Sequence, residues 1–349
     1  MTCGVALDFC MWRTLDNFDV SGKRVLWRVD FNVPVGEDGR VDQAEDWRIR
    51  AALPTLDILR SRGARTIVLS HLGEPTGRDP KLSLAPVAVH LAELTGTAVR
   101  FVPDAAGPEA AAAADALGPS EVMMLENVRF EPGETANDPV FVGRLAGLAD
   151  AYVCDAFGVA HRLHASLVGV AQRLPSAAGE LMQREAATLG SFMTDPPRPA
   201  VAILGGAKAA TKLAVLTRLL GVADTVLLGG VLANAVLASR GVNVGGSPVD
   251  RESILALQQS DPASPKLVVP QDAVVGPSAA PDRSSRQTNL DGVAPDETIY
   301  DLGERTISAY RGILAGAGSV IWNGPVGLAE FEPFAGGTVA LAGAIARRR

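Results

Sequence analysis

The amino-acid sequence predicts an α/β protein with two doubly wound domains, each built on a parallel sheet. Short apolar runs alternate with helical stretches in the first half of the chain, and the alternation restarts near residue 200. The chain has 349 residues, 47% of them hydrophobic, which exceeds what one core usually supports. We therefore expect two Rossmann-like domains at residues 1–175 and 194–349, joined by a hinge helix at 176–193, with a cleft between them.

The strands predicted in the first half mostly end in polar residues. The first run leads into Asp30 and Asn32, and Pro34 stops it. Parallel strands joined by right-handed crossovers bring their carboxyl ends to one edge of the sheet, where such sheets bind ligands. Strands are predicted at residues 24–29, 66–69, 99–102, 122–125 and 151–153, and helices at 47–59, 85–94 and 108–117.

Hydrogen-bond donors gather at the predicted carboxyl edge of this sheet. The loop after the last strand carries His161, Arg162 and His164, and donors of this kind suit an anionic ligand. Taken singly, these residues have plain alternatives: a loop of solvated charges, a structural histidine at His71, or a surface ion pair at Arg129. The residues expected at this edge are Asp30, Asn32, His71, Arg129 and Arg162.

In the second half, glycine-rich turns follow the predicted strands. Gly205-Gly-Ala-Lys208 follows the first of them, and backbone N–H groups of such a turn can approach a phosphate at a helix N-terminus. Lys208 and Lys212 are four residues apart, which would place them on one helical face. The alternative is a turn that is glycine-rich only because it is tightly packed. Strands are predicted at residues 200–204, 225–228, 266–269 and 319–322, an exposed loop or hairpin at 276–292, and a final helix at 338–346.

Composition narrows the classes of function. The net charge is −7, from 32 Lys and Arg against 39 Asp and Glu, which argues against nucleic-acid and acidic-membrane partners. The apolar stretches are shorter than a membrane helix and no signal-like start is present, so we expect a cytoplasmic protein. Its three cysteines lack metal-ligand spacing, so we expect neither a disulfide nor a zinc site.

Two α/β units, one ending its strands in His and Arg and the other in Gly and Lys, suit an enzyme that holds two anionic molecules. Phosphoryl transfer needs that arrangement, because its catalysis is mostly positioning and charge neutralisation.

Seven segments together resemble the phosphoglycerate kinase family. They follow that family's order from about residue 21 to residue 338, so the match is specific although each motif alone is not. The segments are Arg28-Val-Asp-Phe-Asn-Val-Pro34, Arg48-Ile-Arg-Ala-Ala-Leu-Pro-Thr55, Ser70-His-Leu-Gly73, Leu125-Glu-Asn-Val-Arg-Phe130, Asp155-Ala-Phe-Gly with His161-Arg-Leu-His-Ala-Ser166, Gly205-Gly-Ala-Lys208 and Trp322-Asn-Gly-Pro-Val-Gly327.

The resemblance implies reversible transfer of the acyl phosphate of 1,3-bisphosphoglycerate to Mg-ADP, giving 3-phosphoglycerate and ATP. The first domain would hold the phosphoglycerate and the second the nucleotide with Mg²⁺. The protein would be a monomer that acts on small-molecule substrates. No general base is implied, because the accepting carboxylate is already ionised at neutral pH.

Residue by residue, the resemblance gives each candidate a role. Asp30 and Asn32 resemble contacts to the glycerate, and Lys208 and Lys212 resemble the lysines at the nucleotide phosphates. Arg48, Lys208 and Lys212 would be the catalytic set, and no protein side chain is assigned to the metal. The basic patch for the phosphoglycerate would comprise Arg48, His71, Arg129 and Arg162; Asn323 would lie in the nucleotide-binding turn, and Glu330 would accept from the ribose hydroxyls.

The sequence departs from the family pattern in three places, and two of them, Glu74 and the absent Gly-Gly-Gly-Asp segment, favour a second hypothesis. Glu74 stands where the family has an arginine, and Val231 where it has a third glycine. The family also continues past Thr338 into a Gly-Gly-Gly-Asp turn and a further Gly-rich segment, and this sequence contains neither. The alternative to an active kinase is therefore an impaired, phosphoglycerate-kinase-like binding protein, weaker in nucleotide use than in phosphoglycerate use.

Overall fold

The computed structural model describes residues 13–208, 212–249, 254–255, 264–277 and 284–348. Contacts divide the chain into two units, one ending at Leu189 and the other beginning at Gly190. Among the described residues, no helix is long and apolar enough to cross a membrane.

The first unit is built on a six-stranded parallel sheet with the order β3-β4-β2-β1-β5-β6. β1 lies inside the sheet, where Arg28 is level with Leu69 of β2 and with Cys154 of β5. The residues that follow these three strands therefore emerge side by side. The strands are β1 Arg24–Arg28, β2 Arg65–Leu69, β3 Val99–Val102, β4 Val122–Leu125, β5 Ala151–Cys154 and β6 Ser176–Ala178.

Helices cover both faces of this sheet, which is why its strands are continuous apolar runs. Trp27 packs in a core with residues of α1 and α2, and its neighbour Leu26 packs in a second core with residues of α3 and α5. Successive side chains of β1 thus fill opposite cores. The helices of the first unit are α1 Trp47–Ser61, α2 Ala85–Thr95, α3 Pro108–Asp115, α4 Pro132–Thr135 and α5 Pro139–Gly147, and α6 Glu180–Thr194 follows β6.

The predicted hinge helix at residues 176–193 is wrong at its start. Ser176–Ala178 forms β6, which pairs with β5 through Tyr152 and Ser176, and the helix begins at Glu180. Ser-Ala-Ala has little intrinsic preference for a strand, so the open edge of β5 decides its conformation.

The second unit contains a four-stranded parallel sheet with the order β13-β7-β8-β9 and a separate antiparallel sheet with the order β11-β10-β12. The parallel sheet was predicted and the antiparallel sheet was not. The hairpin alternative for residues 276–292 is correct in part, because β11 pairs antiparallel with β10, while residues 278–283 lie outside the described ones. The elements are β7 Ala200–Leu204, α7 Leu213–Leu220, β8 Thr225–Leu228, α8 Gly230–Ser239, β9 Leu267–Val268, β10 Asp272–Pro277, β11 Arg286–Asn289, β12 Glu297–Leu302, α9 Glu304–Ala315, β13 Ser319–Asn323 and α10 Gly336–Ala346.

Candidate functional site

The structure brings all six predicted residues of the first unit into one connected cluster at the carboxyl edge of its sheet. Asp30 accepts from Arg48, with Nη1 2.5 Å from Oδ2, and its other oxygen lies 3.8 Å from His71 Nε2. Asn32 Oδ1 accepts from the N–H of Gly73 at 2.9 Å. These contacts tie the end of β1 to the start of α1 and to the loop after β2.

Arg129 and Arg162 join the cluster through a shared carboxylate. Arg129 Nη1 lies 2.8 Å from Glu74 Oε1, and Arg162 Nη2 lies 3.5 Å from the same oxygen. Arg129 Nη1 also donates to the carbonyl of Gly73 at 2.6 Å. The carboxylate of Glu74, which stands where the family has an arginine, therefore contacts both Arg129 and Arg162.

His71 is buried and electrically neutral. Burial, together with the positive charges of Arg28, Arg129, Arg162 and Arg48, lowers the pKa of His71 to about 2. The ring is therefore a hydrogen-bond donor and acceptor at neutral pH.

A buried chain of hydrogen bonds supports His71, and the sequence did not reveal it. Arg28 is 1% exposed, its Nε donates to Ser166 Oγ at 2.8 Å, and its Nη2 lies 3.3 Å from His71 Nδ1. Ser166 donates in turn to the buried carboxylate of Glu134 at 2.6 Å. His164 Nδ1 lies 3.7 Å from that carboxylate, so it faces this network.

Three buried polar atoms of the cluster have no hydrogen-bond partner in the described part of the chain. They are the carboxylate oxygen Oδ1 of Asp30 and the guanidinium nitrogens Nε of Arg129 and Arg162. Buried polar groups are nearly always paired, so one acceptor and two donors remain available to a ligand. A cavity of about 300 Å³ adjoins Asp30, and its lining includes Trp47, Arg48, Phe157 and Gly158 but neither Arg129 nor Arg162.

In the second unit, three glycine-containing turns are in direct contact. The N–H of Gly206 donates to the carbonyl of Pro325 at 2.7 Å, and the N–H of Gly230 donates to that of Val326 at 2.8 Å. A Cβ on Gly205 would lie 2.0 Å from the Pro325 carbonyl oxygen. Only glycine fits at position 205, because any side chain would meet the Pro325 carbonyl. This agrees with the alternative interpretation of the turn as tightly packed.

The two candidate lysines do not share a helical face. α7 begins at Leu213, so Lys208 and Lys212 both precede it, and residues 209–211 lie outside the described ones. A four-residue spacing implies a common face only where the helix includes both residues. Lys212 instead donates to Asn323 Oδ1 at the end of β13.

A cavity of about 400 Å³ adjoins the glycine turns, and Glu330 lines it. Lys208, Lys212 and Asn323 are not among its lining residues. Val231, where a third glycine was expected, contributes to its wall and donates its N–H to the Gly206 carbonyl at 3.0 Å. Sequence reasoning missed the part of the wall that the unpredicted antiparallel sheet supplies, together with one residue of α8 and two of nearby loops. These residues are Thr298, Ile299 and Tyr300 of β12, Asn234 of α8, and Pro248 and Leu328.

The fold and the two sites define an α/β phosphotransferase, with an arginine-rich anion site on one parallel-sheet unit and a glycine-lined cavity on the other. Comparisons with known proteins agree. The sequence model of the phosphoglycerate kinase family matches residues 15–349. The chain therefore belongs to the phosphoglycerate kinase family.

Individual relatives cover most of the chain. It is 47% identical to the phosphoglycerate kinase of Moorella thermoacetica over 338 residues, 95% of this chain and 85% of that protein. It is also 47% identical to the enzyme of Thermomicrobium roseum, over 96% of this chain and 86% of that protein. The phosphoglycerate kinase structure from Pyrococcus horikoshii aligns with a TM-score of 0.83 at 31% identity, covering 96% of this chain and 86% of that one. The structure from Coxiella burnetii gives 0.78 at 36% identity, covering 97% and 86%.

The predicted activity is thereby confirmed: reversible phosphoryl transfer between 1,3-bisphosphoglycerate and ADP, a glycolytic kinase reaction with a carboxyl acceptor. The alternative, an impaired binding protein, is not favoured.

Proposed function

We propose that the first unit binds 3-phosphoglycerate and 1,3-bisphosphoglycerate through Asp30, Asn32, Arg48, His71, Arg129 and Arg162. The observation that carries this proposal is the unpartnered acceptor and two unpartnered donors in one buried, arginine-rich cluster. Phosphoglycerate offers what these atoms lack, namely a hydroxyl that donates and anionic oxygens that accept.

The geometry around Asp30 suits a hydroxyl group. Its free oxygen and His71 Nε2 are 3.8 Å apart, too far for a hydrogen bond between them. A hydroxyl oxygen placed beside both atoms can accept from Nε2–H and donate to the carboxylate. His71 acts here as a donor, and its strongly lowered pKa prevents it from adding a further positive charge.

The second unit is proposed to bind ADP and ATP, with Mg²⁺ arriving on the nucleotide phosphates. Mg²⁺ at such sites is held mainly by phosphate oxygens, with one or two carboxylates and water completing the shell. The 400 Å³ cavity would take the nucleoside, with Glu330 accepting from the ribose hydroxyls. Lys208 and Lys212, the latter fixed by Asn323, would neutralise the phosphates.

In the direction that consumes ATP, a carboxylate oxygen of 3-phosphoglycerate attacks the γ-phosphorus. The new P–O bond forms as the bond to the β-phosphate oxygen breaks, and that oxygen leaves with the electron pair as ADP. No proton moves, because the nucleophile is ionised and the leaving group is a phosphate. Arg48, Lys208 and Lys212 are proposed to stabilise the charge on the transferring group.

Calorimetric titration of 3-phosphoglycerate tests the first site. Charge-assisted contacts to phosphate contribute roughly 1.5–3 kcal/mol each, so Arg129→Ala and Arg162→Ala should each weaken binding about tenfold or more. Arg144→Ala is the control, because Arg144 pairs with Glu131 at 3.2 Å. Unchanged affinity in both site variants would remove the assignment.

Because glycolysis is a cytoplasmic pathway, we also propose a cytoplasmic location, which cell fractionation tests. We propose separately that the protein is a monomer, which light scattering tests. The cleft expected between the two domains stays a prediction.

A further inference from the structure

The carboxylate of Glu74 lies where an anionic ligand of Arg129 and Arg162 would lie. One oxygen contacts both guanidinium groups, at 2.8 Å and 3.5 Å. The Glu74 side chain is 68% exposed, whereas that of Arg129 is 4% exposed. A solvent-facing acid thus covers a buried cation.

The backbone beside Glu74 is held on both sides. The N–H of Gly73 donates to Asn32 at 2.9 Å, and its carbonyl accepts from Arg129 at 2.6 Å. Gly73 has φ +62°, and a Cβ there would lie 2.8 Å from Leu82 Cδ2, so the turn requires glycine. The side chain of Glu74 can therefore swing into solvent without moving the loop.

Glu74 is also the carboxylate that balances the positive charge of Arg129 and Arg162. Asp30 is held by Arg48 at 2.5 Å, and Glu134 accepts from Ser166, the partner of Arg28. Burial lowers the pKa of Arg129, and Glu74 opposes that effect. A phosphate on the same donors would come within a few ångströms of Glu74, and two anions at that distance repel each other.

We propose that Glu74 is an internal counter-anion of the phosphate site, which the phosphate of an incoming ligand must displace. This inference rests on the proposed function of the first unit. Displacement makes the affinity for phosphate-bearing ligands lower than the arginine pair alone would give. It applies equally to phosphoglycerate and to inorganic phosphate, because both compete with Glu74 for the same donors.

The test is titration of 3-phosphoglycerate and of inorganic phosphate into the full chain and its Glu74→Gln variant. We expect Glu74→Gln to bind both about threefold to tenfold more tightly at low salt, with a gain that shrinks as salt rises. Glu74→Arg should give a larger gain, because it adds a donor as well as removing the competitor.

Asp115→Asn is the matched control. Asp115 is 75% exposed and pairs with Arg24 Nη1 at 2.8 Å, at the start of β1 and so at the opposite edge of the same sheet. The Asp115→Asn substitution removes one negative charge from the same unit, as Glu74→Gln does, so it measures the effect of net charge alone.

Two results would overturn the inference. If the wild type binds phosphoglycerate but Glu74→Gln binds no better than Asp115→Asn, Glu74 does not compete and the proposed site stands. If neither the wild type nor Glu74→Gln binds either ligand, both the site and the inference are wrong. Binding that is detected only in Glu74→Gln would support both.

Discussion

Arg28 fixes the tautomer of His71. Its Nη2 lies 3.3 Å from His71 Nδ1, and a guanidinium can only donate, so Nδ1 must accept. The proton of the neutral ring is then on Nε2, which faces the unpartnered oxygen of Asp30 at 3.8 Å. Arg28 is therefore a positioning residue: its hydrogen bond fixes which nitrogen of the imidazole donates at the proposed substrate site.

The first prediction concerns the pH dependence of stability. The pKa of His71 is about 2 in the folded protein against its ordinary 6.5, so between these values the unfolded chain binds a proton that the folded chain does not. The stability that the neutral ring contributes is complete well above pH 6.5 and is lost as pH falls below 6.5, by about 1.4 kcal/mol per pH unit. We expect the free energy of unfolding, measured in urea, to fall more steeply below that pH in the wild type than in His71→Gln. Equal slopes in the two proteins would show that His71 titrates normally in the folded state.

The second prediction concerns the glycine turns of the second unit. A Cβ on Gly205 would lie 2.0 Å from the Pro325 carbonyl oxygen, whereas Gly312, inside α9, has no atom within 4 Å of its Cβ position. Gly205→Ala should therefore destabilise the protein by about 1–3 kcal/mol or more, through overpacking against backbone. Gly312→Ala should stabilise it by about 0.5–1 kcal/mol, since alanine is the better helix former. Urea unfolding of both variants measures the difference, and similar midpoints would contradict the contact between the turns.

The third prediction uses Trp47 as a reporter of the first site. Its side chain is 58% exposed, lines the 300 Å³ cavity, and lies 5.1 Å from the guanidinium of Arg48. Binding of 3-phosphoglycerate beside Arg48 should change the tryptophan emission, and Trp47→Phe should abolish most of that change. Trp322→Phe, which alters the second unit, is the control and should retain it. A change that survives in Trp47→Phe would place the ligand elsewhere.

The polar ends of the first sheet could be predicted because its strands are buried on both faces. Such strands are apolar runs, and the first polar residues after them, such as Asp30 and His71, mark the edge directly. Arg28 could not be recognised in this way, because it ends an apolar run and only the register with β2 and β5 shows that it is buried beside His71.

The cavity of the second unit was harder to predict for a different reason. Tyr300 and Thr298 belong to β12, whose partner β10 is 20 or more residues earlier in the chain, so no local pattern marks them as a wall of the cavity. The lysines illustrate the same limit. Their spacing suggested one helical face, but the observed start of α7 at Leu213 leaves both before the helix.

The last prediction is that Asn323 acts on the nucleotide through Lys212. Its Oδ1 accepts from Lys212 Nζ, which holds a flexible side chain at the start of α7 before any nucleotide binds. If Lys212 contacts the phosphates, Lys212→Met should weaken Mg-ADP binding about tenfold or more, and Asn323→Ala about threefold, because the lysine must then be ordered on binding. In the double variant the effect of Asn323→Ala should disappear, since it has no lysine left to position. Lys266→Met is the control, because Lys266 donates to the Leu220 carbonyl at 2.9 Å. Calorimetry gives the affinities of the wild type, the two single variants, the double variant and the control, and additive effects of the Lys212 and Asn323 substitutions would show that Asn323 acts independently of Lys212.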